Sequence, residues 1–297
     1  MKTITTIEPV KMAACITTAC RKKNTPKTST PPTEAEWNKL LDYNLDDLTQ
    51  TTSFGISNNA FVFTTNKGAT ITINGSCLRD GGNAVSRAVN LNVVEMYDNV
   101  GRALTNKTTM ALNPATGQKE QTETGGVFYV MATKDGEPLT ATCPIKIDIP
   151  MKNTKGPKSG TQAFEGKITN GELTWEISTK YEVVQSLYNG KYPLTPTGFG
   201  WFNADNFYND PRPRTAIKAR VPSGNGVHSV VYIITKSFPC SLGGLAGYFP
   251  IGLDCWLVFV SRKDGKYLGE TKKSTLTANH SVKFDLSTAQ TGSRPTM

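Results

Sequence analysis

The sequence predicts an all-β protein of two antiparallel β-sandwich-like domains, preceded by a short helix and a disordered N-terminal arm. Three observations carry that prediction. Run after run either alternates apolar and polar residues at period two or is rich in β-branched and aromatic residues, among them ATITIN, AVNLNVVEMYD, GGVFYVMAT, PIKIDIP, SVVYIITKSF and SVKFDL, the patterns of strands. Asp-Gly pairs at Asp135-Gly136 and Asp264-Gly265 stand between such runs, where a tight hairpin turn needs the positive φ that these residues tolerate. Only residues 34–48 show convincing helical spacing.

Taken in order, residues 1–36 read as a flexible basic arm. ACRKKNTPKTSTPPTE is rich in Lys, Thr and Pro and cannot bury enough apolar surface to offset the entropy of ordering. EAEWNKLLDYNLDDL then reads as an amphipathic helix, with Trp37, Leu40, Leu41, Leu45 and Leu48 at helical spacing and Glu34 and Glu36 placed to suit the helix dipole. That helix leads the first domain, residues 37–150. Within the domain, Val127, Tyr129 and Met131 alternate with Phe128, Val130 and Ala132. The chain reverses at Lys134-Asp135-Gly136-Glu137, after which Ile145, Ile147 and Ile149 point one way and Lys146 and Asp148 the other. Residues 99–124 break the alternation and read as a long surface excursion. Residues 151–160, MKNTKGPKSG, are a basic, Gly/Pro-containing linker. Residues 161–297 resume the strands as a second sandwich-like domain, with a hairpin turn at Lys263-Asp264-Gly265-Lys266.

A chain of 297 residues is long enough to bury two cores without disulfides. Its net charge of +9 is unevenly placed: +3 over residues 1–36, −2 over 37–150 and +8 over 151–297. A basic second half attracts acidic partners such as nucleic acid, anionic glycan or lipopolysaccharide. Its Lys and Arg are scattered and no nucleic-acid motif accompanies them, so a soluble, mildly basic surface is the simpler account. No apolar run is long enough to cross a membrane as a helix.

None of the six cysteines forms a CxxC pair, and the only histidines are His228 and His280, so no zinc site of the usual spacing is expected. With Cys15 and Cys20 set aside, Cys77 and Cys143 fall in the first domain and Cys240 and Cys255 in the second. Each pair either bridges adjacent strand ends or stays as buried thiols. Neither a metal nor a cofactor is expected.

KGATITINGSCLRDGGNAVSRAVNLNVVEMYD, NKTT and TGGVFYVMATKDGEPL in the first half, with FEGKITNGELTWE and GFGWFNADNFYNDPRPRTAIKARVP in the second, resemble segments of uncharacterised surface lipoproteins of the Bacteroidota, over roughly residues 55–286. MAACITTAC followed by RKKNTPKTSTPP is similar to a lipoprotein junction, in which a Cys, here Cys20, becomes the lipidated first residue. Glu8, Pro9 and Lys11 stand where such a junction carries an uninterrupted apolar stretch. The resemblance implies tandem β domains, lipid-anchored at an extracellular or outer-membrane surface, and no particular activity.

The densest cluster of chemistry-bearing residues is FGWFNADNFYNDPRPR, residues 199–214. Trp201 and Tyr208, with Asn203, Asp205, Arg212 and Arg214, offer the ring faces and polar groups with which sugar and peptide sites stack and orient a ligand. Asp205, Asn203 and Asp210 would also supply oxygens to calcium. The same residues serve equally as core aromatics and turn formers. CSLGGLAGYFPIGLDC, residues 240–255, lacks the Lys-Ser/Thr of a phosphate loop. It reads as a mobile apolar loop offering Leu242, Leu245, Tyr248 and Phe249 to a neighbouring subunit, or as a cover over the core. No nucleophile is marked by an adjacent base, and there is no GxSxG elbow. The expectation is a non-enzymatic cell-surface or assembly protein that self-assembles or contacts a protein or surface glycan. A structural component of a virion or filament, and a polysaccharide-related hydrolase or accessory module, are the alternatives.

Overall fold

A computed structural model describes residues 31–57, 60–154, 160–169, 171–183, 190–226, 228–236, 240–263, 266–285 and 287–292. The arm through residue 30 with its Cys20, residues 155–159 of the expected linker, and the Asp264-Gly265 turn lie outside the described residues. Most described residues are in strands, and the α-helices among them are α1 (Glu34–Leu48) and α2 (Asn99–Leu104). The described chain divides into two compact units, residues 44–208 and residues up to 43 with 209–297. That division differs from a boundary at 151–160, because strands on both sides of that stretch are hydrogen-bonded into the same sheets.

A capping box starts α1. Thr33 Oγ1 accepts from the Glu36 N–H at 3.3 Å, and Glu36 Oε2 accepts from the Thr33 N–H at 2.9 Å. Two of the donors that a helix start leaves unpaired are thereby satisfied.

The unit of residues 44–208 contains β1 (Gln50–Phe54), β2 (Ala60–Thr64), β3 (Thr70–Asn74), β4 (Val89–Met96), β5 (Met110–Leu112), β6 (Lys119–Lys134), β7 (Lys146–Pro150), β8 (Gln162–Thr169), β9 (Glu172–Ile177), β10 (Lys191–Leu194) and β11 (Gly200–Phe207). One antiparallel sheet runs β10-β7-β3-β2. A second runs β1-β4-β6-β11-β8-β9. β5 pairs with β9 at Trp175↔Ala111 and with β6 at Met110↔Gln121, so β6, β11, β8, β9 and β5 close a five-stranded ring.

Strand alternation divides the side chains between two cores. Ile71, Ile73, Ile147, Ile149, Tyr192 and Leu194 of the four-stranded sheet pack with Val89, Leu91, Val93, Phe128, Val130, Ala132, Phe202 and Ala204 of the larger one. Val127, Phe164, Leu173, Trp175 and Trp201 fill the ring, together with Val94 and Met96 of β4. The Asp135-Gly136 hairpin forms as its residues dictate: φ is 52° at Asp135 and 89° at Gly136, and Lys134 pairs with Glu137.

Residues 99–124, expected to form a surface excursion, instead supply α2, β5 and the first half of β6. Arg102, Thr109, Ala111 and Thr122 there are fully buried. Period-two hydrophobicity misses this stretch because its buried side chains are largely polar and bond to one another. The second half of β6 begins at a bulge. Its register against β11 shifts between Asn203↔Val127 and Asp205↔Thr124, leaving Gly125 and Gly126 opposite Ala204. A Cβ on Gly125 would lie 2.5 Å from the Ala204 carbonyl oxygen, and one on Gly126, at φ +126°, 2.8 Å from the Tyr97 ring. Only glycine fits either position.

The other unit contains β12 (Arg214–Ala216), β13 (Lys218–Arg220), β14 (Ser229–Thr235), β15 (Leu242–Gly244), β16 (Tyr248–Pro250), β17 (Asp254–Lys263), β18 (Lys266–Thr275), β19 (Ser281–Lys283) and β20 (Gln290–Gly292). Its main sheet runs β15-β14-β17-β18-β20. Tyr232, Ile233, Leu257, Phe259, Phe249 and Phe284 are buried at its core, with Phe259 stacked on Phe284 at 5.6 Å. β12 pairs with β16, and β13 runs parallel to β19.

For residues 240–255 the structure decides between the readings left open. Leu242 and Phe249 are buried strand residues and not exposed docking groups, and Gly243 is required because a Cβ there would sit 2.8 Å from the Phe249 ring. Cys240 and Cys255 are not bridged. β14 lies between β15 and β17, so Ile234 separates Leu242 from Trp256 in the register. Two strand spacings, about 9–10 Å, exceed the Cα separation a disulfide spans.

Cys77 and Cys143 are bridged, with Cα atoms 5.7 Å apart. They end the short ladder in which Ala141 pairs with Leu78 and the Thr142 N–H donates to the Cys77 carbonyl oxygen at 2.9 Å. The bond spans a sequence separation of 66, and closing a loop of that order in the unfolded chain is worth about 2–5 kcal/mol. The Cys77→Ala, Cys143→Ala variant should therefore unfold at lower urea concentration, and reductant should lower the wild-type midpoint by the same amount. An unchanged midpoint would show that the cross-link adds nothing.

Candidate functional site

The residues expected to bind a ligand are divided between the units. Trp201, Asn203, Asp205 and Tyr208 belong to residues 44–208, and Arg212 and Arg214 to the other unit. β11 lies between β6 and β8 in the five-stranded ring, and alternation turns its odd-numbered side chains to the ring interior while Phe202 and Ala204 enter the inter-sheet core. Trp201 is buried, its ring 5.0 Å from that of Tyr129 and capped by the Lys107 ammonium at 5.5 Å. Asn203 and Asp205 are fully buried. The Tyr208 N–H donates to the Gln121 carbonyl oxygen at 3.4 Å, just past the strand end. Arg212 is exposed and grips Asp210 through two nitrogens, Nε to Oδ1 at 2.9 Å and Nη2 to Oδ2 at 2.5 Å. Arg214 Nη1 donates to the Tyr248 carbonyl oxygen at 3.4 Å. The aromatic faces that looked like a stacking platform are thus packing surfaces inside a strand. Among the described residues, no group of three or more His, Cys, Asp or Glu converges as a metal site would require.

Asp205 centres a polar interior. Thr122 Oγ1 touches Asp205 Oδ2 and also lies 3.0 Å from the Thr109 carbonyl oxygen. A hydroxyl has one proton, so it cannot donate to both acceptors. Protonation of Asp205 resolves this: the carboxyl O–H donates to Thr122, and Thr122 donates to Thr109. Thr124 Oγ1 donates to Asn203 Oδ1 at 3.0 Å and accepts from the Gly126 N–H at 3.0 Å. Arg102 is fully buried, with Nη2 on the Met96 carbonyl oxygen at 2.9 Å and Nη1 on Asn99 Oδ1 at 3.2 Å. Burial pushes the Asp205 carboxyl up to about 7, with the Arg102 guanidinium opposing the rise.

An open cleft lies on the outer side of β8 and β11. Glu165, Gly166, Lys180 and residues 196–202 line about 140 Å³, less than a drug-sized ligand fills. Lys180 Nζ pairs with Glu165 Oε2 at 3.2 Å, and Ser178 Oγ donates to Glu165 Oε1 at 3.3 Å. In the other unit, Ser274 Oγ lies 3.0 Å from His280 Nε2. The Thr277 N–H donates to His280 Nδ1 at 3.3 Å, so in the neutral ring Nε2 carries the proton and donates to Ser274. That tautomer cannot take a proton from the serine, and the pair does not make an activated nucleophile. The Cys255 thiol is pushed up to about 12, chiefly by burial, which keeps it protonated and unreactive.

The raised Asp205 value has a defined sign for stability. The unfolded carboxyl ionises near 4, roughly its ordinary value, while the folded one holds its proton up to about 7. Between those values the folded state binds more protons, so stability falls as pH rises through the window and levels off above it. Asp205→Asn should flatten that decline, which amounts to about 1.4 kcal/mol per pH unit for one full proton. Urea midpoints measured from pH 4 to pH 8 decide it, and parallel curves for wild type and variant would refute the assignment.

No protein-family model matches the chain, and a search of curated protein sequences returns no match.

Proposed function

We propose that the chain is a non-enzymatic protein of an extracellular or outer-membrane surface, acting by protein–protein or glycan contact from two sandwich-like β units, with Cys20 as a lipid attachment point. The observation that carries the compartment is the Cys77–Cys143 bond, since such bonds persist in oxidising environments. Support for a contact role comes from how the chemistry-bearing residues are used. Trp201, Asn203 and Asp205 pack and tie strands, and His280 holds Ser274 in an unreactive arrangement. Contact then falls to edges and exposed faces.

One edge favours a second reading, assembly into an extracellular filament. β2 ends the four-stranded sheet, carries no charge or proline in AFVFT, and exposes 57 % of Val62. Natural edges are usually guarded by such residues, and an unguarded one invites strand addition.

Fractionation and intact-mass measurement from the native source test the proposal. The expected result is a membrane-associated chain beginning at an acylated Cys20 with the Cys77–Cys143 bond intact. A reduced chain in the cytosolic fraction, retaining Lys2 onward, would overturn it. The same unacylated chain recovered oxidised in a sedimenting particle would favour the filament.

A further inference from the structure

Residues 209–297 hold twelve basic and five acidic residues, a net +7. Three of the twelve, Lys218, Arg220 and Lys283, lie on one two-stranded ribbon. β13 and β19 run parallel, with Lys218 opposite Ser281, Ala219 opposite Val282 and Arg220 opposite Lys283. Registered neighbours in a ladder share a face, and residues two apart share it as well. Lys218, Arg220, Ser281 and Lys283 therefore project from the same side, and all four are exposed, while Ala219 and Val282 on the other side are half-buried.

Arg220 directly opposite Lys283 is a like-charge cross-strand pair, which destabilises a ladder unless an anion lies between. Neither of them, nor Lys218, has a carboxylate partner among the salt bridges of the described residues. Of the nearby acids, Glu270 pairs with Lys272 at 3.2 Å and accepts from the Asp285 N–H at 2.8 Å. Exposed Asp285 accepts from the Ser287 N–H at 2.9 Å and also feels the Lys283 and Lys272 charges, so it offsets part of the positive charge at the Lys283 end. Lys272, paired with Glu270, also sets its ammonium on the Lys283 carbonyl oxygen at 2.6 Å and over the Phe284 ring at 5.7 Å. The ribbon is anchored at both ends, by the Lys218 N–H on the His280 carbonyl oxygen at 2.9 Å and the Phe284 N–H on the Arg220 carbonyl oxygen at 2.8 Å.

The geometry points to a binding face for an anionic polysaccharide on this ribbon, with Lys218, Arg220 and Lys283 contacting successive carboxylate or sulfate groups and the Ser281 hydroxyl contacting a sugar oxygen. Backbone spacing sets the cations about 5 Å apart across the ribbon and about 7 Å apart along it, a spacing suited to a chain of separated charges. The disulfide-bearing unit of the same chain argues for an extracellular ligand, and so for a glycan over nucleic acid. This inference rests on the surface location proposed above and gives the glycan contact a place and a charge.

The test uses the full chain and three probes: polygalacturonate, neutral dextran, and double-stranded DNA of matched charge. The expected result is salt-sensitive binding of polygalacturonate that also raises the melting temperature, no binding of dextran, and weaker binding of DNA. Lys218→Gln, Arg220→Gln, Lys283→Gln should weaken polygalacturonate binding by about tenfold or more. Its own melting temperature should hold or rise, because the repulsion is removed. Lys236→Gln, Lys266→Gln, Lys273→Gln removes the same charge elsewhere in the unit and should bind nearly as wild type. Equal loss in both triple variants, no loss in the first, no binding of polygalacturonate by the wild type, or DNA binding as tight as polygalacturonate would each overturn the proposal. Fractionation remains the separate test of surface location, so the two ideas fail independently.

Discussion

The unit of residues 44–208 depends on a single strand. β6 is sixteen residues long and pairs with β4, β11 and β5. Its second half lies in the sheet that faces the inter-sheet core, and its first half closes the ring. A uniform strand of that length would keep one face toward one core. Beyond the Gly125–Gly126 bulge, alternation sends Val127 into the ring and Phe128, Val130 and Ala132 into the inter-sheet core, while the extra residue bends the strand where its two halves meet. The close approach of the Ala204 carbonyl oxygen to Gly125 makes the bend specific to glycine. The TGGVFY segment is therefore a structural hinge for two cores.

The ring interior joins an apolar end to a polar one. Val127, Leu173, Phe164 and Trp175 fill one part. Asp205, Asn203, Thr122, Thr124 and Arg102 occupy another, all buried. Buried polar groups are tolerated where they bond to one another, and such networks fix a unique arrangement more tightly than interchangeable apolar packing does. Here they also lock register: Thr122–Asp205 ties β6 to β11 ahead of the bulge, and Thr124–Asn203 reaches across it. A proton on Asp205 belongs to that arrangement, since the Thr122 hydroxyl otherwise faces two acceptors.

The other unit uses simpler means. β14 and β17 are nearly continuous apolar runs and are buried on both faces, as central strands are. It buries a smaller polar contact, Ser261 Oγ on Asn225 Oδ1 at 2.9 Å, and the β13–β19 ribbon carries cations that form no salt bridge among the described residues. Function in this protein is accordingly sought on strand edges and faces. The interior of residues 199–207, where aromatic and amide groups are dense, is committed to packing.

By itself the sequence determined the strand-rich class, the Asp135-Gly136 hairpin with its Lys134–Glu137 pairing, the inward set Ile145, Ile147 and Ile149, and the helix at 34–48. These are local consequences of period, turn chemistry and helical spacing. The Thr33–Glu36 capping box is written there as T-x-x-E. Only the tertiary structure decided the rest. The buried role of 99–124 was hidden because burial there is polar and shows no hydrophobic period. The interior position of Trp201, Asn203 and Asp205 was hidden because a strand central to a ring has the same composition as a binding loop. The unbridged state of Cys240 and Cys255 depends on β14 lying between their strands, and the facing of Arg220 and Lys283 on a parallel pairing across more than sixty residues. Which strands become neighbours is a long-range property, and no local pattern encodes it.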